Sequence, residues 1–446
     1  MTEGGSAAGG TPGTRTLGIR AARDDLTWPS MQHMYPEALT LDRGEGVRLW
    51  DTDGRAYLDL FAGILTTSVG HCHPRVIEAV EKQLRRLGHV STLYETEPHM
   101  EAARRLADIA PGGLRRTFFT NSGTEAIETA VFMARAVTGR REIVALRGGY
   151  HGRSALGMAL TAHPTYRPLP ATAAGVVHAR APYPYRCPYR RPCDDGCVDR
   201  WIEELEEVIV TTTDGRPAAL LLETIQGVSG YIVPPMEYLR RAAELIRSYG
   251  GLFIADEVQA ALGRTGSRWF GIEHAGVEPD FIVMAKGLAG GFPAGATITT
   301  DEIAAGWEGN TISTFGGNPI VMAALSATLD VLVEADAPAN AETRGRELRE
   351  GLNTLQASYP WIGEVRGMGL MIGVELVTDP ESRTPDPGRT RALVEAARDE
   401  GLLIGSGGLH GNVIRIGPSL LISSDEVAEG VERFGRACER VAEGGG

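Results

Sequence analysis

A chain of 446 residues is longer than one compact core accommodates and suggests two or three domains. Its 43% hydrophobic and 23% charged residues are ordinary for a globular protein, and a formal charge of −13 argues against nucleic acid or an anionic membrane as the main partner. No apolar run approaches the length that spans a bilayer.

In chain order, "MTEGGSAAGGTPGT" is small, polar and glycine-rich, and residues 1–27 read as a disordered or arm-like tail. The start has no apolar signal core, and the faintly transit-like "RTLGIRAARDD" carries Asp24 and Asp25, so the expected location is the cytoplasm. "GVRLWDTDGRAYLDLFAG" reads as a hairpin that turns at Asp53-Gly54. Next, "PRVIEAVEKQLRRLGHV" sets Val76, Ile77, Val80, Leu84 and Leu87 on one helical face.

Through the middle of the chain, short apolar runs read as buried strands: "TFFT" at 117, "EIVAL" at 142, "AALLLET" at 218, "GLFIAD" at 251, "DFIVMA" at 280 and "AGATITT" at 294. Between several of them lie "EAIETAVFMARAVTG" and "PMEYLRRAAELIRSYG", whose apolar positions repeat at helical spacing. Such alternation implies an α/β domain with a largely parallel sheet. A long helix, "NPIVMAALSATLDVLVEA", follows, and the remaining segments suggest a smaller α+β domain. The expected division is an N-terminal segment over 28–75 that contributes to the small domain, a large domain over 76–330 and a C-terminal small domain over 331–446.

Three stretches have residues suited to chemistry. In "FFTNSGTEAIETA", Asn121, Ser122, Gly123 and Thr124 stand at a strand-to-helix junction, where free N–H groups and two hydroxyls make either a phosphate cradle or an ordinary helix cap. "FIADEVQ" ends a hydrophobic strand with Asp256 and Glu257, and ligands in open α/β sheets bind outside the carboxyl ends of strands. "VMAKGLAGGFPAGA" has Lys286 at the end of an apolar run. Of 44 basic residues only Lys82 and Lys286 are lysines, leaving 42 arginines. Lys82 lies four residues after Glu78 on a helix surface, a favourable solvated pair. Lysine, unlike arginine, can lose its proton when desolvated and attack a carbonyl to form a Schiff base. Lys286 is therefore either such a nucleophile or a charge snorkelling from a strand end.

A phosphate cradle, a carboxylate and a Schiff-base lysine are together what pyridoxal phosphate requires. A nucleotide reading fares worse, because there is no G-x-x-x-x-G-K-[ST] and "GSGGLHG" at 405 runs into a strand rather than a helix. Cys187, Cys193 and Cys197 cluster in "YRCPYRRPCDDGCVDR" with His178 not far off. Their spacing lacks a paired Cys-x-x-Cys and a close fourth ligand, so the expectation is a surface loop with reduced thiols and no metal.

With these residues the chain resembles the class III pyridoxal-phosphate aminotransferases of fold type I, from about residue 28 to the C-terminus. The motifs "YLDLFAGI", "GHCHP", "NSGTEA", "GGYHGR", "ADEVQAALGRTG", "AKGLAGGFP", "STFGGNP", "VRGMGLMIGVEL" and "IRIGPSL" recur in family order. The resemblance implies that Lys286 holds the cofactor covalently and Asp256 pairs with its ring nitrogen. It assigns the phosphate to Ser122, Gly123 and Thr124, the two ring faces to Tyr150 and Val258, and the phenolic oxygen to Gln259. His151 of "GGYHGR" joins the cofactor-binding set. Thr314 of "STFGGNP" implies contact with the phosphate of a neighbouring subunit, hence a homodimer with a shared active site. Arg415 of "NVIRIGPSL" resembles the arginine that grips a substrate carboxylate, and Glu223 the glutamate that can pair with it, although the family's usual Glu-Pro is Glu223-Thr224 here.

Within the class, "YLDLFAGILTTSVGHCHP", "ETIQGVSG" and the cysteine loop look most like the alanine–glyoxylate and 3-aminoisobutyrate–pyruvate subgroup. That likeness implies ping-pong transfer from alanine, a β- or ω-amino acid or an amine to pyruvate or glyoxylate. Two other readings compete. One is a phospholyase, for which "YRCPYRR" would supply an extra basic cluster; the other is a non-catalytic binding paralogue, against which Lys286, Asp256 and Tyr150 speak.

Overall fold

The computed structural model describes residues 12–167, 173–189 and 192–444. Its first element is the helix Thr14–Leu26, within the stretch expected as a disordered or arm-like tail. The helix is tied to the hairpin turn that follows. Gly13 N–H donates to Asp53 Oδ1 at 3.0 Å, and the buried Thr16 hydroxyl reaches Asp53 Oδ2 at 2.9 Å and the Thr52 hydroxyl at 2.6 Å. These anchors, with helix-forming arginine and alanine in "TRTLGIRAARDDL", outweigh the glycine-rich residues before it. Residues 1–11 of the expected tail lie outside the described residues.

Strands β1 (Leu41–Glu45), β2 (Arg48–Asp51) and β3 (Ala56–Asp59) form an antiparallel meander. The β2–β3 turn lies where the sequence put it, with Gly54 at φ 84° and Asp51 N–H donating to the Arg55 carbonyl at 3.0 Å. Then come β4 (Arg116–Thr120), β5 (Ile143–Leu146), β6 (Val176–Ala179), β7 (Ala219–Glu223), β8 (Leu252–Asp256), β9 (Phe281–Met284) and β10 (Gly295–Thr299). The C-terminal part holds β11 (Ile362–Met368), β12 (Met371–Leu376), β13 (Leu402–Leu403), β14 (Gly405–Gly407) and β15 (Val413–Ile416).

β4 to β10 make one seven-stranded sheet in the order β4-β10-β9-β8-β7-β5-β6. β9, β8, β7, β5 and β6 run parallel, and β10 is antiparallel to both of its neighbours. Every residue of β5, β7, β9 and β10 is buried, as expected when helices cover both faces of a parallel sheet. Strand β6, which the apolar-run reading omits, is the short edge strand, only partly buried. β13 adds to the first meander beside β3, while β11-β12-β15-β14 form a separate antiparallel sheet. The fold is the α/β architecture expected, with a largely parallel central sheet and smaller sheets beside it.

Register sets up the site. Glu223 at the end of β7 pairs with Asp256 at the end of β8, and Asp256 pairs with Val283, three residues before Lys286. Three adjacent carboxyl ends thus bring Glu223, Asp256 and Lys286 to one edge of the sheet, where α/β folds bind ligands.

Candidate active site

A cleft of about 340 Å³ opens at that edge. Its walls include Ser122, Gly123, Thr124, Tyr150, His151, Glu223, Asp256, Val258, Gln259 and Lys286. Ten of the twelve site residues named from sequence are therefore brought together. Thr66 also lines it, as do Phe292 and Pro293, which carry no ionisable group to single them out.

Ser122 caps the helix Gly123–Thr138, its hydroxyl accepting the Glu125 N–H at 3.3 Å. The Gly123 and Thr124 amides belong to the first turn and have no intrahelical acceptor, so they remain available to an anion at the positive end of the helix dipole. Thr124 Oγ1 accepts the Arg153 N–H at 3.2 Å. Gly152 allows that approach: at φ 118°, a Cβ there would come within 2.4 Å of the same hydroxyl.

On the floor of the cleft, Asp256 Oδ2 is 2.8 Å from His151 Nδ1, and Oδ1 accepts the Val258 N–H at 3.1 Å. His151 is buried, held by its own N–H donating to Thr161 Oγ1 at 2.9 Å. It thereby fixes the carboxylate's orientation. Glu223 spends both oxygens on backbone, accepting the Tyr150 N–H at 2.8 Å and the Gly227 N–H at 2.7 Å. Burial, reinforced by the Asp256 charge, raises the Glu223 carboxyl to about 7.

Lys286 follows β9 with φ 49°, a left-handed conformation that costs a non-glycine residue roughly 1–3 kcal/mol. Desolvation lowers its pKa; the charges of Asp256 and Glu223 oppose the shift and that of Arg415 adds to it. A lysine drawn toward its neutral form is what a nucleophilic amine needs, and backbone strain of this kind clusters at active sites. The snorkelling alternative does not account for that combination.

Two named residues lie outside the lining. Thr314 is exposed in the loop before the helix Pro319–Glu334. Arg415 is buried on β15, its Nε donating to the Ser406 carbonyl at 3.0 Å and its guanidinium 5.2 Å from the Phe61 ring centre. Its Nη1 is buried without a hydrogen-bond partner. The Glu223–Arg415 pairing implied by the resemblance is not formed in this state, in which Glu223 accepts two backbone amides.

Thr224, where the family has proline, donates its hydroxyl to Glu257 Oε1 at 2.5 Å. That carboxylate also accepts the Gly271 and Ile272 amides, so the threonine completes a buried network. In "YRCPYRR", Arg186 pairs with buried Glu375 at 2.5 Å and is not free to form a basic pocket. Arg190 and Arg191 lie outside the described residues.

The family model described as "Aminotransferase class-III" matches residues 30–438, and the chain belongs to this family. It is 41% identical over 409 residues to alanine–glyoxylate aminotransferase 2 homolog 2, mitochondrial, of Arabidopsis thaliana, covering 92% of this chain and 84% of that one. It is 39% identical over 401 residues to the acetylornithine aminotransferase of Methanopyrus kandleri, covering 90% and 94% of the two chains. An amine transaminase from an uncultivated Pseudomonas species, solved with pyridoxal phosphate bound, superposes with a TM-score of 0.88 at 33% identity, covering 93% of this chain and 98% of that one. The fold is that of the fold-type-I transferases, and the chain is a pyridoxal-phosphate-dependent aminotransferase.

The cleft fits that cofactor. An open helix N-terminus suits a phosphate, a buried carboxylate suits a protonated ring nitrogen, and the lysine is already desolvated. Gln259 Oε1 is moreover buried with no partner in the chain, a group that a ligand's hydroxyl would satisfy. No helix among the described residues is long and apolar enough to cross a membrane.

Proposed function

We propose that the chain moves an amino group from alanine, a β- or ω-amino acid or an amine to pyruvate or glyoxylate, in two half-reactions at this one cleft. The observation that carries the reading is the convergence of Lys286, Asp256 and the helix start at Ser122 on one cleft. Ser122, Gly123 and Thr124 would hold the phosphate, Tyr150 and Val258 the two ring faces, Gln259 the phenolic oxygen and Asp256 the ring nitrogen. His151 orients Asp256.

Bound pyridoxal phosphate supplies an electron-accepting ring and a carrier for nitrogen between the half-reactions. Lys286 Nζ, held toward neutrality, takes a proton from the substrate carbon and returns it elsewhere. Arg415 Nη1, buried and unpaired, receives the substrate carboxylate, while Glu223 stays on its two amides.

The active unit is proposed to be a homodimer in which Thr314 serves the partner's cleft. In support, Thr314 is exposed beside Ile312 and Phe315, which are 55% and 60% exposed, and an apolar loop of that kind suits burial against a second copy. The two-domain division at residues 76 and 331 belongs to the same proposal, supported by β13 of the C-terminal part pairing with β3. Placement in the cytoplasm belongs to the same proposal, supported by five cysteines of which none is in a disulfide.

The relatives' names differ in substrate, so the test is a donor panel. Alanine, β-alanine, 3-aminoisobutyrate, a diamine and phosphoethanolamine are each added to the purified holoenzyme without an acceptor. One donor class is expected to bleach the bound cofactor's visible band, and pyruvate or glyoxylate to restore it. A band that persists with every donor, while phosphoethanolamine releases phosphate, would replace amino transfer with the phospholyase reading.

A further inference from the structure

Away from the cleft, the connection between β6 and the helix Asp195–Thr212 brings Cys187, Cys193 and Cys197 together, their sulfurs all within 4.8 Å of one another. Cys187 and Cys197 are buried with sulfurs 3.4 Å apart, and Cys193 is partly exposed, giving an ion a way in from solvent. The C-x5-C-x3-C spacing concealed this arrangement. Cys187 closes the 3-10 turn Pro184–Arg186, and Cys197 lies in the first turn of the helix, so the chain doubles back between them. The carboxylate of Asp194 adds a fourth group, with Oδ1 3.6 Å from Cys197 Sγ. His178, the ligand suggested by sequence proximity, is instead engaged with the Leu160 carbonyl at 3.1 Å.

We propose that Cys187, Cys193 and Cys197 bind a zinc ion as thiolates, with Asp194 turning its carboxylate in from beside Cys197 to complete a tetrahedral structural site. Zinc–sulfur bonds of about 2.3 Å in a tetrahedron put sulfurs about 3.8 Å apart. The three sulfurs, from 3.4 Å to no more than 4.8 Å apart, bracket that spacing. Three sulfur donors select a borderline or soft cation and exclude magnesium and calcium. On binding, each thiol releases its proton to solvent and no electron is transferred.

The ion would act as a staple. The same connection carries Tyr183 and Arg186, whose side chains both contact buried Glu375 of β12. β12 in turn pairs with β15, placing Gly373 opposite Arg415. Zinc would thus hold the connection that clamps the sheet presenting Arg415.

Holoenzyme produced in zinc-supplemented medium and purified without chelator should contain about one zinc per chain by plasma mass spectrometry, as a site with no open position retains its ion. Cys193→Ser and Cys197→Ser should each lose it, whereas Cys438→Ser, in the C-terminal helix Ser424–Glu443, should keep it. A second measurement avoids variants that fail to fold: cobalt(II) added to chelator-treated wild type should give thiolate-to-metal charge transfer and tetrahedral d–d bands. Chelation should also make additional thiols reactive toward a disulfide reagent. Wild type lacking both zinc and the cobalt spectrum would overturn the proposal. So would iron with a cluster spectrum, or a Cys187–Cys197 disulfide in non-reducing peptide maps.

Discussion

Two pairs of side chains sit next to one another at the ends of β7 and β8 and meet opposite circumstances. Glu223 and Asp256 look into the cleft, where Asp256 is shared between an imidazole and one amide and lies among groups with unused hydrogen-bonding capacity, such as His151 Nε2 and Gln259 Oε1. One residue further along, Thr224 and Glu257 face packed protein, and Glu257 is closed by a hydroxyl and two amides. Beside the first pair lie unsatisfied polar groups, as in a site that awaits a ligand; the second pair is closed within a structural network. One strand end thus separates chemistry from scaffold by a single residue.

The sharpest probe of the cleft side is Lys286→Arg. It keeps a positive charge and the fold but removes the amine that can be neutral, so the cofactor's covalent visible band should vanish and turnover should fall by roughly 10³-fold or more. Near-normal turnover by that variant would remove the proposed mechanism.

Next in size is the direct comparison of neighbours. Asp256→Asn keeps the shape and an acceptor for His151 but removes the charge at the ring-nitrogen position; turnover should drop about 100-fold or more with a small change in melting temperature. Glu257→Gln should do the reverse. Its amide would confront the donors of Thr224, Gly271 or Ile272, costing about 1–3 kcal/mol of stability while turnover changes little. If Glu257→Gln damaged turnover more than Asp256→Asn, the division between the two sides would be wrong.

The chemistry at strand ends was legible because few local features were needed: an apolar run fixes the strand, and the next polar residue reaches the cleft. Lys286, Asp256 and Ser122 follow from that rule. Groups placed by folding over distance were not legible. His151 meets Asp256 across 105 positions. Thr224 looked like a lost proline until Glu257 came within reach, and the three cysteines converge only because a 3-10 turn and a helix start double the chain back. The helix Thr14–Leu26 likewise depends on Asp53, some forty residues later. Sequence spacing reads contacts within an element well and contacts between elements poorly.

A pH titration of stability sharpens the comparison on the scaffold side. Burial raises the Glu257 carboxyl from 4.5 to about 7, against the pull of its three hydrogen-bond donors. The folded chain therefore binds a proton there more readily than the unfolded chain, so this group's contribution is largest below about 4.5 and is lost as pH rises toward 7. A shift of this size corresponds to about 3 kcal/mol across the window. Glu257→Gln cannot titrate, so denaturant unfolding at several pH values between 4.5 and 7 should give a flatter dependence than wild type.

Thr224→Val carries the smallest expected effect and isolates the donor itself. Valine keeps the shape of threonine and removes only the hydroxyl, so Glu257 retains two amides and loses its third partner. The cost should be about 1–2 kcal/mol at pH 7, where the carboxylate is substantially ionised, and less at pH 5, where a protonated carboxyl needs one donor fewer. Turnover and the cofactor's visible band should be unchanged, since Thr224 does not line the cleft. A loss of cofactor binding with stability intact would mean that the two faces of the strand end are coupled, and that the threonine acts on the site through Glu223 beside it.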